Sequence, residues 1–400
     1  MRFEPTSLEF IANPYPAYEE LRANAPLWYD EGTDHWLVSR YEDVNALLRD
    51  RRFGRTYLHV ATHEEMGHPS DPPMLDPFWH LIRAGILDME PPDHTRVRSL
   101  VSKAFTPRFV EGLRPRVERI TRALVDQAAE AGTFDLLAVV AEPLPVTVIA
   151  EMLGVPEPDH KLLRPWSADI CKMYELNPSE ESARDAVRAS VEFSDYLRTL
   201  SRERRARPTE DLISRLALVV DEGERLTEDE LIGTCVLLLN AGHEATVNVT
   251  VNGWWALFRN PDQLEALRRD PSMVPIAVEE LMRYDTPLQM FERWVLEPVE
   301  LHGVQVPKGA ELGLLFGSAN HDPSVFHDPD RMDLARDPNP HLSFGAGVHF
   351  CLGAPLARIE LQTSFAAMLE RFPRLEPVEE PRWKPNYIIR GLESLHVSAN

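Results

Sequence analysis

Of the three cysteines in the chain, Cys171, Cys235 and Cys351, only the last sits in a setting that suggests chemistry. It lies between a loop punctuated by Gly345, Gly347 and Gly353 and an apolar-periodic stretch that predicts a helix from Gly353-Ala354-Pro355 to about Phe372. A thiol at a helix N-terminus meets backbone N–H groups and the positive end of the dipole. Both favour the thiolate, the form that binds metal. Alone, such a cysteine is more often a small buried hydrophobe. Elsewhere, His94 and Arg98 fall at i and i+4 just after Pro91-Pro92, a spacing that puts two cationic groups on one helix face, able to grip a pair of carboxylates. Asn240-Ala241-Gly242-His243-Glu244-Ala245-Thr246 interrupts an apolar run with a glycine, an acid and a hydroxyl, which cost stability in a core helix unless they have a task. Glu280 and Arg283, at i and i+3, would by themselves be a surface ion pair of little energetic worth.

The element that must position Glu244 is the best-signalled helix of the chain. Thr227 and Glu230 form a capping box, Leu226 and Leu231 form the accompanying staple, and Asn260-Pro261 supplies the stop. At 1.5 Å per residue, about 32 residues give a length of about 48 Å. Between Leu231 and Leu239 the stretch is almost wholly apolar, which predicts burial on all sides. Upstream, a short helix is expected from Pro16 to Asn24, a strand over Trp36–Arg40, and a helix from Tyr41. A polar, proline-rich stretch over about 59–77 is too long for a simple connection and is expected to be a substrate lid. From Arg116 to about Leu200 the pattern is helical, broken at Gly132, Pro143, Pro156 and Pro178. Val299–Gly309 alternates and turns like a β-hairpin, and 321–340, rich in Pro and Asp, is expected to be irregular.

The 400 residues are 44% hydrophobic, enough for a sizeable core, and contain no internal repeat. No run of about 18 apolar residues spans a membrane and the N-terminus lacks a signal-peptide core, so a soluble, cytoplasmic chain is expected. A net charge of −22 opposes binding to nucleic acid or to an anionic membrane surface. Three widely spaced cysteines favour neither a disulfide framework nor a cysteine-only metal site.

The run Phe344-Gly345-x-Gly347-x-His349-x-Cys351-x-Gly353 resembles, at every fixed position, the haem-binding signature of the cytochromes P-450. The resemblance implies one mainly helical domain over residues 1–400, with small β-sheets and haem b held between the long helix and the cysteine loop. It implies Cys351 as the axial thiolate, which pushes electron density onto the iron. His349 would bond a propionate, and Phe344 would pack beside the sulfur. Pro91-Pro92-x-His94-Thr95-x-x-Arg98, followed by Ala104–Arg108, is similar to the family's propionate-binding helix. Glu280 and Arg283 look like its Glu-x-x-Arg helix, with Arg331 as third member of a buried charge network. Arg293 would be a further propionate partner, with Leu288, Met290 and Phe291 pointing into the pocket. The tip of a C-terminal hairpin, Ile388 and Ile389, would join them. The stretch from Trp166 resembles the mobile helix pair that roofs the pocket, an ordinary connection being the equal alternative. Lys103, Arg108, Arg114, Arg116 and Arg119 make either a solvated helix face or a dock for an acidic redox protein.

In the long helix the resemblance is incomplete. The family pattern is Ala-Gly-x-(Asp/Glu)-Thr; Gly242 and Glu244 match it, but Ala245 stands at the alcohol position. Thr246 lies about 100 degrees further round and cannot simply replace it. Protons must then pass through Glu244, ordered water or a hydroxyl of the substrate, and macrolide-oxidising members of the family also lack this alcohol. The resemblance implies a haem-thiolate monooxygenase acting on a small organic molecule of polyketide, macrolide or terpenoid type. Electrons would come from a separate ferredoxin-type donor and its reductase, since the chain has no nucleotide-phosphate loop and no flavin or iron–sulfur motif. The rivals are a peroxide-driven peroxygenase, against which Glu244 argues, and a non-catalytic relative that recruits other proteins, against which Glu244 and the intact cysteine loop both argue.

Overall fold

Prolines and polar caps set the helix borders. In the computed structural model, which describes residues Phe3–Ala399, the long helix runs Glu228–Arg259. The Thr227 N–H donates to Glu230 Oε2 at 2.8 Å, and the Glu230 N–H returns to Thr227 Oγ1 at 3.1 Å, the reciprocal pair of a capping box. The helix after the cysteine spans Ala354–Arg371. Among the described residues no helix is long and apolar enough to cross a membrane.

The backbone clusters into two compact units. The first gathers the chain up to Phe53, Val117–Leu144 and everything from Glu244 onward; the second gathers Gly54–Arg116 and Pro145–His243. The long helix contributes to both.

In the first unit, three helices pack tightly: the C-terminal half of the long helix, Val274–Tyr284 and Ala354–Arg371. Gly253 is small where a Cβ would come within 3.0 Å of Phe365 Cζ and 3.3 Å of Leu281 Cδ1. Next to it, Trp254 stacks on Phe365 with ring centroids 5.3 Å apart. Beside these helices, Leu27–Asp30, His35–Val38, Glu311–Leu315 and Met290–Val295 lie side by side in that order within a five-stranded sheet. Leu37 pairs in parallel with Gly313, and Gly313 pairs antiparallel with Glu292. The expected hairpin is Val299–Leu301 with Val304–Val306, its turn made by the left-handed His302 (φ 50°) and Gly303 (φ 77°). Thr133–Asp135, His396–Ser398 and Glu376–Pro377 form a second, smaller sheet. Residues 321–340 are turns without regular structure, as expected.

In the second unit, the apolar first half of the long helix is buried through Leu231, Ile232, Cys235, Val236 and Leu239. Gly233 permits a close crossing, since a Cβ would fall 2.7 Å from the Ala84 carbonyl carbon. The predicted lid stretch is less open than its composition implied. It contains the short turns Glu64–Met66 and Pro73–Leu75, and a helix, Asp76–Arg83, begins before Pro77 because proline is compatible with the first turn. The expected helix pair is His160–Cys171 and Glu180–Ala206, the second capped by Ser179, with Trp166 stacked on Phe193 at 5.1 Å.

Candidate functional site

Cys351 stands three residues ahead of the first residue of Ala354–Arg371. Its N–H donates to Phe344 O at 3.0 Å and closes the loop, while the Phe350 N–H reaches Gly347 O at 3.1 Å. Gly345 (φ 66°) and Gly347 (φ 70°) are left-handed, and a Cβ on Gly347 would lie 2.2 Å from Leu48 O. Gly353 has an ordinary φ of −79°, so its reason is different. A Cβ there would project beside the sulfur, with Cys351 Sγ 3.9 Å away as its nearest neighbour. The glycine thus keeps the surface next to the sulfur flat. Cys351 is partly exposed and in no disulfide, whereas Cys171 and Cys235 are buried. Burial pushes the Cys235 thiol far up, which keeps it protonated and inert. His349 ends the short turn Gly347–His349 ahead of the cysteine and is partly exposed.

Behind the sulfur lies a charged cluster that sequence reasoning missed. The Arg358 guanidinium sits over the Phe344 ring, 4.6 Å from its centroid, and donates to Glu279 through Nε at 2.7 Å and Nη2 at 2.8 Å. His341 Nε2 donates to the same carboxylate at 3.1 Å. Burial alone would raise the Glu279 carboxyl, but the bonds from Arg358 and His341 outweigh it and bring the pKa down to about 2. Arg358 is held above its ordinary value first by Glu279 and, more weakly, by the charge of Cys351, so it is a fixed cation close to the sulfur. Arg358 and His341 lie 79 and 62 residues from Glu279 in sequence, separations that no local pattern encodes.

Glu280 and Arg283 are fully buried, joined by Nε and Nη2 bonds of 2.7 Å each. The sequence expectation of Arg331 as third member is corrected: Arg331 is exposed, and Arg336 Nε reaches the Glu280 oxygens at 3.1 and 3.3 Å. The Asp333 N–H (3.0 Å) and Asn339 Nδ2 (3.2 Å) complete the donors around Glu280. The irregular backbone of 321–340 is the physical reason. With no period to count by, spacing does not say which arginine turns inward.

Strand alternation sorts the expected pocket residues. Phe291 and Arg293 share one face, with the Arg293 guanidinium 4.7 Å from the Phe291 centroid. Arg293 is 1% exposed and donates Nη1 to Glu292 O at 2.9 Å. Phe291 packs against Phe316 at 5.8 Å, and Phe316 Cζ is the nearest atom to a Cβ built on Gly345, which links this strand to the cysteine loop. Met290 points the other way, into the sheet packing: a Cβ on Gly313 would meet its Sδ at 2.5 Å. The expectation that Met290 and Phe291 enter one pocket together is therefore corrected by the period of two. The C-terminal hairpin is present in minimal form, with Lys384 N–H to Gly391 O and Glu393 N–H to Arg382 O, both 2.9 Å. Its tip lies along 287–289: Ile389 bridges to Leu288, and the Gln289 N–H donates to Ile388 O at 3.0 Å. Arg390, ion-paired to Asp285 and stacked on Trp383, anchors it.

In the middle of the long helix, Leu237, Leu238, Ala241, Gly242 and Ala245 form an accessible stripe at helical spacing, while Leu239, Asn240, His243 and Thr246 are buried. Glu244 is partly exposed beside the stripe. Ala245 thus lies on the open face, and the Thr246 hydroxyl position, as the geometry of the helix demands, is turned into the protein. Gly242 has a packing role of its own, because a Cβ there would fall 2.7 Å from Ile149 Cδ1. Asn240 is buried on the helix, and its amide hydrogen-bonds the Tyr174 hydroxyl. In the second unit, Asp93–Ala104 carries buried His94 and partly exposed Arg98 one turn apart.

The donor set fits an iron porphyrin. Within the first unit it has one accessible sulfur at a helix N-terminus, a flat approach at Gly353, a fixed cation behind the sulfur, and the cationic side chain of Arg293 suited to a carboxylate. Comparison with known proteins agrees. A family model described as cytochrome P-450 matches residues 57–387. The cytochrome P-450 monooxygenase PikC of Streptomyces venezuelae is 42% identical over 97% of this chain and 92% of its own length. The 6-deoxyerythronolide B hydroxylase of Saccharopolyspora erythraea is 38% identical over 97% of this chain and 96% of its own. Among solved structures, P-450BioI in complex with an acyl carrier protein bearing hexadec-9Z-enoic acid superposes with a TM-score of 0.92. It is 36% identical over 99% of this chain and 100% of that one.

Proposed function

The chain belongs to the cytochrome P-450 family, and on that premise we propose that it inserts one oxygen atom into a polyketide- or macrolide-type substrate, using electrons from a ferredoxin-type donor and its reductase. As a cytochrome P-450 monooxygenase it binds haem b, which supplies the iron at which dioxygen is reduced and one atom transferred. Cys351 would hold the iron, with Arg358 as its nearby cation; Arg293 and His349 would hold the propionates, a role that the family motif also gives to His94 and Arg98. Phe291, Leu288, Ile388 and Ile389 contribute apolar pocket wall.

Ala245 carries the substrate reading. It lies on the accessible stripe without a hydroxyl, and Thr246 is buried, so the helix offers Glu244 as its own proton-handling group there. A hydroxyl-bearing substrate can supply the missing donor, which polyketides commonly do. The 6-deoxyerythronolide B hydroxylase, named for the compound that it hydroxylates, supports the same class. The test is a titration of the holoenzyme with hydroxylated macrolactones, carrier-bound acyl chains and steroids, read by the low-to-high spin shift and followed by ferredoxin-driven turnover. Macrolactones should give the shift and a product one oxygen heavier. A shift confined to steroids or acyl chains overturns the substrate class, and peroxide-driven turnover exceeding ferredoxin-driven turnover overturns the electron source.

A further inference from the structure

We propose that His35, Glu292 and Glu311 form a divalent-cation site of the zinc class on one face of the five-stranded sheet, separate from the cysteine site. Each offers one ligand atom, and the three atoms lie within 4.8 Å of one another. Register explains the convergence. Trp36 pairs with Leu312 and Trp294 with Glu311, so three adjacent strands bring His35, Glu311 and Glu292 to the same side of the sheet.

The histidine points to a ligand. Its side chain is 9% exposed, and its Nδ1 lies 2.5 Å from Thr33 O, an atom that can only accept. Nδ1 therefore carries the proton. Thr33 is itself fixed, because its N–H and Oγ1 both donate to Asp30 Oδ2, at 3.0 and 2.8 Å. Nε2 is buried, makes no hydrogen bond, and faces Glu311 Oε2 at 3.6 Å. In the neutral ring this nitrogen presents a lone pair to two carboxylates. A cation placed between the unpartnered ring nitrogen and the two carboxylate oxygens would be liganded by all three. A ring whose other nitrogen donates to a backbone carbonyl is the usual form of a metal-ligating histidine. One nitrogen and two oxygens suit zinc, water completing the set; bonds of about 2.1 Å put tetrahedral ligands about 3.4 Å apart, close to the His35–Glu311 separation. Such an ion would tie together the strands that present Phe291 and Arg293.

The experiment is a calorimetric titration of chelator-treated holoenzyme with Zn2+ at neutral pH, on the wild type and on Glu292→Gln, Glu311→Gln and His35→Ala. Folding of each is checked by its reduced carbon-monoxide spectrum. The wild type should bind one tight equivalent that also raises Tm, and each substitution should weaken binding at least about 10-fold. No tight equivalent in the wild type, or one that survives the two glutamine substitutions, overturns the proposal. Zinc-edge absorption on the wild type gives an answer without any variant: one imidazole with oxygen ligands supports it, and a shell containing sulfur or lacking imidazole refutes it.

Discussion

Replacing Glu279 by Gln removes the charge that holds Arg358 behind the cysteine loop while keeping its shape. The structure sets the size of the effect. The Glu279 carboxyl is lowered from 4.5 to about 2, with its side chain 23% exposed. A shift of about 2.5 units at 1.36 kcal/mol each is about 3.4 kcal/mol, which partial solvent exposure reduces to about 2–3 kcal/mol. A depressed carboxyl contributes stability that is complete above its unfolded pKa and lost as pH falls through the folded value. The gap between wild type and Glu279→Gln should therefore be about 2–3 kcal/mol at pH 7 and should shrink to less than half of that by pH 3. Urea unfolding from pH 7 to pH 3 measures it. A gap below about 0.5 kcal/mol at pH 7, or one that is constant or grows as pH falls, would refute the assignment of Glu279 as an ionised clamp on Arg358.

Glu280→Gln leaves the fully buried Arg283 without its counter-charge and should cost about 3–5 kcal/mol, read as a fall in Tm and in haem retained on purification, whereas Arg331→Ala should cost less than about 0.5 kcal/mol. Gly347→Ala combines left-handed strain with a Cβ 2.2 Å from Leu48 O and should cost about 3 kcal/mol, visible as haem loss on heating. Ala245→Thr should not raise the fraction of reducing equivalents recovered in product, because substrate or water already supplies the hydroxyl; a gain of several-fold in coupling would show instead that the native relay is impaired.

What could be read from sequence was what local physics decides. The capping box at Thr227 and Glu230 placed the start of the long helix to within a residue, and the break at Asn260-Pro261 placed its end. The 100-degree step between Ala245 and Thr246 correctly separated an accessible position from a buried one. Glu280 and Arg283 are neighbours by helical spacing alone. Errors arose where the deciding contact is remote or the backbone irregular. Arg336 rather than Arg331 reaches Glu280 from a segment of turns, and Arg358 and His341 meet Glu279 across the fold. The division of Met290 and Phe291 between two faces follows from strand periodicity, once the strand is known to begin at Met290. The convergence of His35, Glu292 and Glu311 depends on the order and register of three strands, which no short-range pattern specifies.

The central claim is that Cys351 is the iron ligand, and the reduced carbon-monoxide spectrum of Cys351→Ser tests it most directly. Loss of the long-wavelength Soret band in a folded, haem-containing variant is the expected result; persistence of that band would contradict the assignment.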